Sequence, residues 1–275
     1  MSRLNALAAL TLATALSLGA LAPPAAANDR LDLYKKRRAL VIGIDEYKDP
    51  AWGALNYARS DAEAVGKKLT ALGFSVDYLF DKDATRDGIL ARFNVLEQEV
   101  EEDDQVFVFF SGHGITTGSP KDKVGYLIPT DGVRSHLLKT ALSLSVLRDL
   151  SRALKARHVM FALDACFAGN ILENTRGPGG VRPGNRQIYN DMLQAKVRLV
   201  LAAANENQKA HEVDGRGLFT RALLDALNGA VKPNNADGIL FGQDIATYIR
   251  SAVSDMAQRN HKKQNPIHGH LQGAA

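Results

Sequence analysis

A chain with one cysteine cannot form a disulfide with itself, so the chemistry of that thiol is set by its neighbours. Cys166 stands in Leu163-Asp164-Ala165-Cys166-Phe167-Ala168-Gly169, directly after the apolar run His158–Leu163. A thiol of ordinary pKa, about 8.5, is only a few per cent ionised at neutral pH, so a nucleophilic cysteine needs a base or a cation beside it. His113 is the candidate base. It follows the apolar run Gln105–Phe110 and sits between Gly112 and Gly114, which permit unusual backbone angles and close approach of a substrate. His158 opens a strand-like run, His268 and His270 lie in the tail, and His136 and His211 sit in polar stretches. A thiol and an imidazole at two strand ends suit acyl transfer through a thioester; a buried, inert cysteine is the alternative.

Positioning them requires strands that end at the same edge. Arg38–Asp45 is a short apolar run closing in turn residues, which predicts a buried strand. From Ser60, the residues Ala62, Val65, Leu69 and Leu72 recur at helical spacing, with Ser60 or Asp61 near the N-cap and Gly73 ending the helix. Phe74–Phe80 alternates as a strand would, and Thr85–Glu102 is amphipathic and acidic, a helix. Gln105–Phe110, His158–Leu163 and Arg198–Ala203 predict three further buried strands. Helices are expected near 143–155, 217–228 and 242–256. This alternation predicts an α/β fold, a mainly parallel central sheet flanked by helices on both faces. In such sheets functional groups sit beyond the carboxyl ends of the strands, the place His113 and Cys166 both occupy.

The stretch 169–197 is rich in glycine, proline and arginine and predicts a flexible linker. It separates a larger part, to about 169, from a smaller part, 198–265.

Ser111-Gly112-His113-Gly114 after one strand, with Asp164-Ala165-Cys166 after the next some fifty residues on, resembles the caspase-like cysteine peptidases. Within them the chain looks most like the bacterial metacaspases, or orthocaspases. The Arg38–Asp45 strand, Leu55 with Ser60-Asp61-Ala62, and Gly217-Leu218-Phe219-Thr220 fit the same pattern, and the likeness covers residues 35–265. It implies a caspase-like α/β/α sandwich and a Cys166–His113 dyad. The implied oxyanion donors are the backbone N–H groups of Gly114 and Cys166. It further implies that Asp164 and Asp61 line the primary specificity pocket. Two carboxylates there suit the planar guanidinium of arginine, and lysine less well. The alternatives are that Asp61 caps its helix and Asp164 binds a nearby backbone amide. An enzyme of this kind takes peptide or protein substrates with Arg or Lys at the cleavage site, and Arg176, Arg182 and Arg186 become candidate self-processing positions. Many metacaspases carry adjacent aspartates that help bind calcium, where this chain has Leu142-Ser143-Leu144-Ser145. No cofactor is expected, and calcium dependence is not. A scaffold without activity, or a peptidase of different specificity, would carry the same resemblance.

The 275 residues are 45% hydrophobic and carry a formal charge of +4 with both signs interspersed, which gives no electrostatic footprint for nucleic acid. No tract of repeats argues for a solenoid. The first 27 residues read as a secretory signal: Arg3, an apolar Leu4–Leu21, Pro23-Pro24, then Ala25-Ala26-Ala27 before the cut. The expectation is a secreted or periplasmic protein after cleavage near Ala27, with no stable membrane insertion once the signal is removed. An uncleaved anchor is the alternative, although the run is short for a membrane span.

Overall fold

The computed structural model describes residues 33–119, 122–166, 172–173 (backbone only), 194–205, 208–232 and 240–271. The signal-like segment 1–27, with its cut near Ala27, lies outside the described residues. So do Arg176, Arg182 and Arg186. The described residues fall in one compact unit, Leu33–Ala275.

Each apolar run becomes a strand within a residue or two of expectation. They are β1 (Arg37–Gly43), β2 (Ser75–Phe80), β3 (Gln105–Ser111), β7 (His158–Asp164) and β9 (Val197–Ala202). Their order in the sheet is β2-β1-β3-β7-β9, and every pairing among them is parallel. Buried residues alternate between faces, as a pleated strand requires. Leu40 and Ile42 of β1 pack into one core and Ala39 and Val41 into the other.

The helices supply the two outer layers. On the first face α2 (Arg86–Glu99) inserts Ile89, Phe93 and Leu96, and α3 (Leu144–Ala153) inserts Leu144 and Leu147. The other face is covered by α1 (Ala58–Ala71), α4 (Leu218–Asp225) and α5 (Gly242–Arg259), through Val65, Leu69, Phe219, Leu223, Ile249 and Val253. Two helix starts are held by hydroxyls: the Gly88 N–H donates to Thr85 Oγ1 at 3.0 Å and the Val146 N–H to Ser143 Oγ at 3.2 Å.

Three features depart from the sequence reading. A small antiparallel sheet of β4 (Gly114–Thr117), β5 (Val124–Leu127) and β6 (Leu142–Ser143) stands beside the main one. A hairpin of β10 (Glu212–Val213) and β11 (Arg216–Gly217) precedes α4. The supposed tail holding His268 and His270 is β12 (Ile267–Leu271), which pairs antiparallel with β9 and with the two-residue β8 (Leu172–Glu173). The sheet is therefore mixed at that side and parallel elsewhere.

Gly43 sets how closely α1 approaches the sheet. A Cβ there would lie 2.6 Å from Ala62 Cβ and 2.8 Å from the Ala58 carbonyl oxygen. The helix backbone, not a movable side-chain tip, blocks it. Gly43→Ala should therefore cost about 1–3 kcal/mol by overpacking, read as a lower urea midpoint with an unchanged slope. An unchanged midpoint would show that α1 can move away freely.

Candidate active site

The register of β3 and β7 brings the two motifs together. Ser111 pairs with Asp164, the last residues of both strands, and the Gly112 N–H donates to the Asp164 carbonyl at 3.3 Å. His113 and Cys166 thus leave neighbouring strands at the same edge. Both line one cleft of about 500 Å³, together with Trp52, Asp61, Asp164 and Glu212.

His113 is held on several sides. Its backbone N–H donates to Tyr47 Oη at 2.7 Å, and the rings of Tyr47 and Trp52 flank the imidazole at centroid distances of 4.8 and 5.9 Å. Trp52 is fixed in turn by its indole N–H on the Gly132 carbonyl at 2.9 Å, with the Arg134 guanidinium 5.1 Å over its ring. His113 Nε2 lies 3.1 Å from the Gly53 carbonyl oxygen. A carbonyl can only accept, so that bond places the proton on Nε2 and leaves Nδ1 as the basic nitrogen of the neutral ring. Gly53 has φ 66° and ψ 155°, a conformation essentially restricted to glycine. Among the described residues the imidazole's hydrogen-bond partner is a main-chain oxygen rather than a carboxylate side chain.

Cys166 is half-buried, and its Sγ accepts the Ala210 N–H at 3.0 Å. Burial pushes the thiol pKa up, and the Ala210 bond offsets only part of that. Burial pushes the His113 pKa down. Both shifts favour the uncharged thiol and the uncharged imidazole. Among the described residues no hydrogen bond joins the two side chains.

The acids converge from opposite sides on the start of α4. The Gly217 N–H donates to Asp61 Oδ2 at 2.8 Å, and the Thr220 hydroxyl and N–H donate to Asp164 Oδ2 at 2.6 and 3.3 Å. A Cβ on Gly217 would lie 2.6 Å from Asp164 Oδ2 and 3.0 Å from Asp61 Oδ2, so only glycine admits both carboxylates. Asp61 and Asp164 are 2% and 7% exposed. Asp61 does not cap its helix. Asp45 does that, accepting the Ala58 and Arg59 N–H groups at 2.8 and 3.3 Å, while Asp61 sits in the first turn facing α4. The second alternative is met in part, since Asp164 does accept a backbone amide.

Burial raises the pKa of Asp61 to about 7, with the Asp164 charge adding to the rise. Burial likewise raises Asp164 to about 6. Glu212, which the sequence reading passed over, lines the same cleft and raises both. Its position on β10 opposite Gly217 delivers it there. The available signal was Asp214-Gly215, a two-residue hairpin turn that folds Glu212 back onto Gly217. Gly114, the other implied oxyanion donor, follows His113 directly. Ile128 N–H donates to the His113 carbonyl, so by the alternation of an antiparallel ladder Gly114 and Leu127 form the non-hydrogen-bonded pair. The Gly114 N–H then turns away from β5. Among the described residues no group of three or more His, Cys, Asp or Glu side chains could hold a metal ion.

A sequence model of the caspase domain matches residues 36–270. No curated protein matches the chain. The crystal structure of protein GSU0716 from Geobacter sulfurreducens superposes with a TM-score of 0.59 at 20% identity, covering 86% of this chain and 93% of that one. That likeness concerns the fold.

The raised acids give a stability test with a definite sign. The folded pKa of Asp61, about 7, exceeds its ordinary 3.8, so the folded state holds the proton longer. Stability therefore falls as pH rises between those values, and the penalty is fully present above about pH 7. Asp61→Asn keeps an oxygen for the Gly217 N–H and removes the charge. It should raise Tm at pH 8 by at least about 2 °C, with the gain shrinking toward pH 4. A lowered Tm at pH 8 would mean that the ionised carboxylate is a net stabiliser.

Proposed function

The chain belongs to the caspase-domain family of cysteine peptidases, and from that premise we propose that it is an endopeptidase cleaving after arginine, and less well after lysine, with Cys166 as nucleophile and His113 as base. The observation that carries the specificity is the pair of buried carboxylates, Asp61 and Asp164, at one end of the cleft that also holds Cys166. Two desolvated acids raise each other's pKa unless a cation compensates them, and a guanidinium can bond both at once. Lysine brings a single point charge.

The chemistry follows from the protonation states. His113 Nδ1 takes the thiol proton as Cys166 Sγ bonds the scissile carbonyl carbon, whose oxygen becomes anionic. The N–H groups of Gly114 and Cys166 stabilise that oxygen. As the C–N bond breaks, His113 returns the proton to the leaving amine. Water, deprotonated by His113, then adds to the thioester, and the C–S bond breaks to give the acid and the thiol. Because burial pushes both groups toward their uncharged forms, His113 is proposed to act as a base during attack rather than as the partner of a preformed thiolate. The Gly53 carbonyl accepts from Nε2, which favours the imidazolium that forms and leaves Nδ1 as the nitrogen that takes the proton.

The likeness to metacaspases extends the proposal. Activity without calcium accords with Leu142-Ser143-Leu144-Ser145, which lacks an acidic pair. Export follows from the segment 1–27, and a cut at Arg176, Arg182 or Arg186 would separate the two parts of the domain. Among the described residues no helix is long and apolar enough to cross a membrane.

A library of peptides varied at the residue before the scissile bond tests the specificity. Arginine should be cut fastest, lysine next and aspartate hardly at all, and Cys166→Ala and His113→Ala should abolish cleavage. Asp164→Asn should slow arginine substrates at least about tenfold, a loss of about 1.4 kcal/mol in the transition state. A preference for aspartate or for apolar residues would overturn the pocket assignment; cleavage at the parent rate by Cys166→Ala would overturn the nucleophile.

A further inference from the structure

The chain places one of its own cations at the acidic end of the cleft. Arg216 precedes Gly217 on β11, just after a two-residue turn in which Asp214 and Gly215 have φ of 51° and 78°. Positive φ at both positions is the geometry of a tight primed hairpin turn, which pins the register. Val213 then faces Arg216, and Glu212 faces Gly217. The Gly217 amide meets Asp61 Oδ2, and Arg216 Nε lies 3.3 Å from the other oxygen, Oδ1. That contact is an ion pair without hydrogen-bond geometry, since Asp61 Oδ1 is buried and has no hydrogen-bond partner.

The two partners differ in access to water. The Asp61 side chain is 3% exposed and the Arg216 side chain 35%. Arg216 therefore reaches in from the rim, contributes one edge nitrogen, and has an open path out. A guanidinium arriving from the cleft can set one aligned N–H on the unused Asp61 oxygen while its other prong meets Asp164, a stronger contact than a single misaligned Nε.

We propose that Arg216 is a specificity-determining residue: it is the resident counterion of Asp61, which a substrate's basic side chain must displace in order to bind. This rests on the proposal that the cleft takes basic residues. Arg216 neutralises the buried carboxylate in the empty enzyme and moderates the preference for basic over neutral side chains. Its displacement is part of ground-state binding, so it acts on KM and leaves the acyl-transfer step alone.

The test compares the full chain with Arg216→Ala and Arg216→Lys at pH 8.5, reading kcat and KM on an arginine peptide and inhibition by benzamidine, a small amidine cation. Arg216→Ala should lower both KM and the benzamidine inhibition constant about fivefold, with kcat within about twofold of the parent. Arg216→Lys should fall between. Among the described residues the charged groups that act on Asp61 are Asp164 on β7, Glu212 on β10 and Arg216 on β11, with Arg134, Lys209 and His211 lining the same cleft. Removing the Arg216 charge lets a proton compete better for Asp61, so the pH below which benzamidine binding fails should move upward in Arg216→Ala. A merely structural arginine would not move that profile. If the parent binds benzamidine and Arg216→Ala binds it no better, with KM unchanged or raised, the counterion role is wrong while the basic pocket stands. If none of the three binds benzamidine or cuts after arginine, the pocket reading fails and the counterion role goes with it.

Discussion

The site depends on the in-register parallel pairing of β3 with β7. That ladder runs from Gln105 opposite His158 to Ser111 opposite Asp164, and both strands end on the same step. A slip of one residue would turn every side chain to the other face and separate the imidazole from the thiol. The register is well protected, because both faces are buried. Val108 and Phe161 pack into one core, and Phe109 and Ala162 into the other. Hydrophobic burial thus fixes the relative position of two polar groups that contribute little to it.

Desolvation governs what those groups can do. Burial lifts the Cys166 thiol, lowers His113 and lifts Asp61 and Asp164, so each group is pushed toward its uncharged form. The fold counters this with oriented dipoles more than with charges. The Ala210 N–H meets the sulfur, the Gly53 carbonyl meets the imidazole, and the start of α4 meets both carboxylates. Backbone dipoles cost no reorganisation when charge moves, which suits the proton transfers of the proposed acyl transfer. Arg216 is the one ion pair to Asp61 among the described residues, and its side chain is far more exposed than the carboxylate it meets.

Much of this was legible in the sequence. The parallel strands announced themselves as apolar runs, and Ser111-Gly112-His113-Gly114 and Asp164-Ala165-Cys166 marked two strand ends that meet at the same edge. What escaped notice lacks side-chain periodicity. Gly114-Ile115-Thr116-Thr117 and Leu142-Ser143 are too short to read as strands of a sheet, and Ile267-His268-Gly269-His270-Leu271 looks like a polar tail until β9 supplies its partner. The hydrogen-bond partner of the His113 ring is a backbone oxygen, visible in sequence only as a glycine at position 53. Asp61 near a helix start was ambiguous because a first-turn acid satisfies local rules either way. Only the contact with Gly217, 156 residues later, decides it.

The central claim is that Cys166 is a nucleophile served by a pocket for basic side chains. Intact-mass analysis after incubation with a peptidyl-arginine chloromethyl ketone, beside its aspartyl counterpart, tests both halves together. The account predicts one adduct per chain from the arginyl reagent, mapped to Cys166 and strongly slowed in Asp164→Asn, with little labelling by the aspartyl reagent. Absence of an arginyl adduct on folded protein, or equal labelling by both reagents, would contradict it.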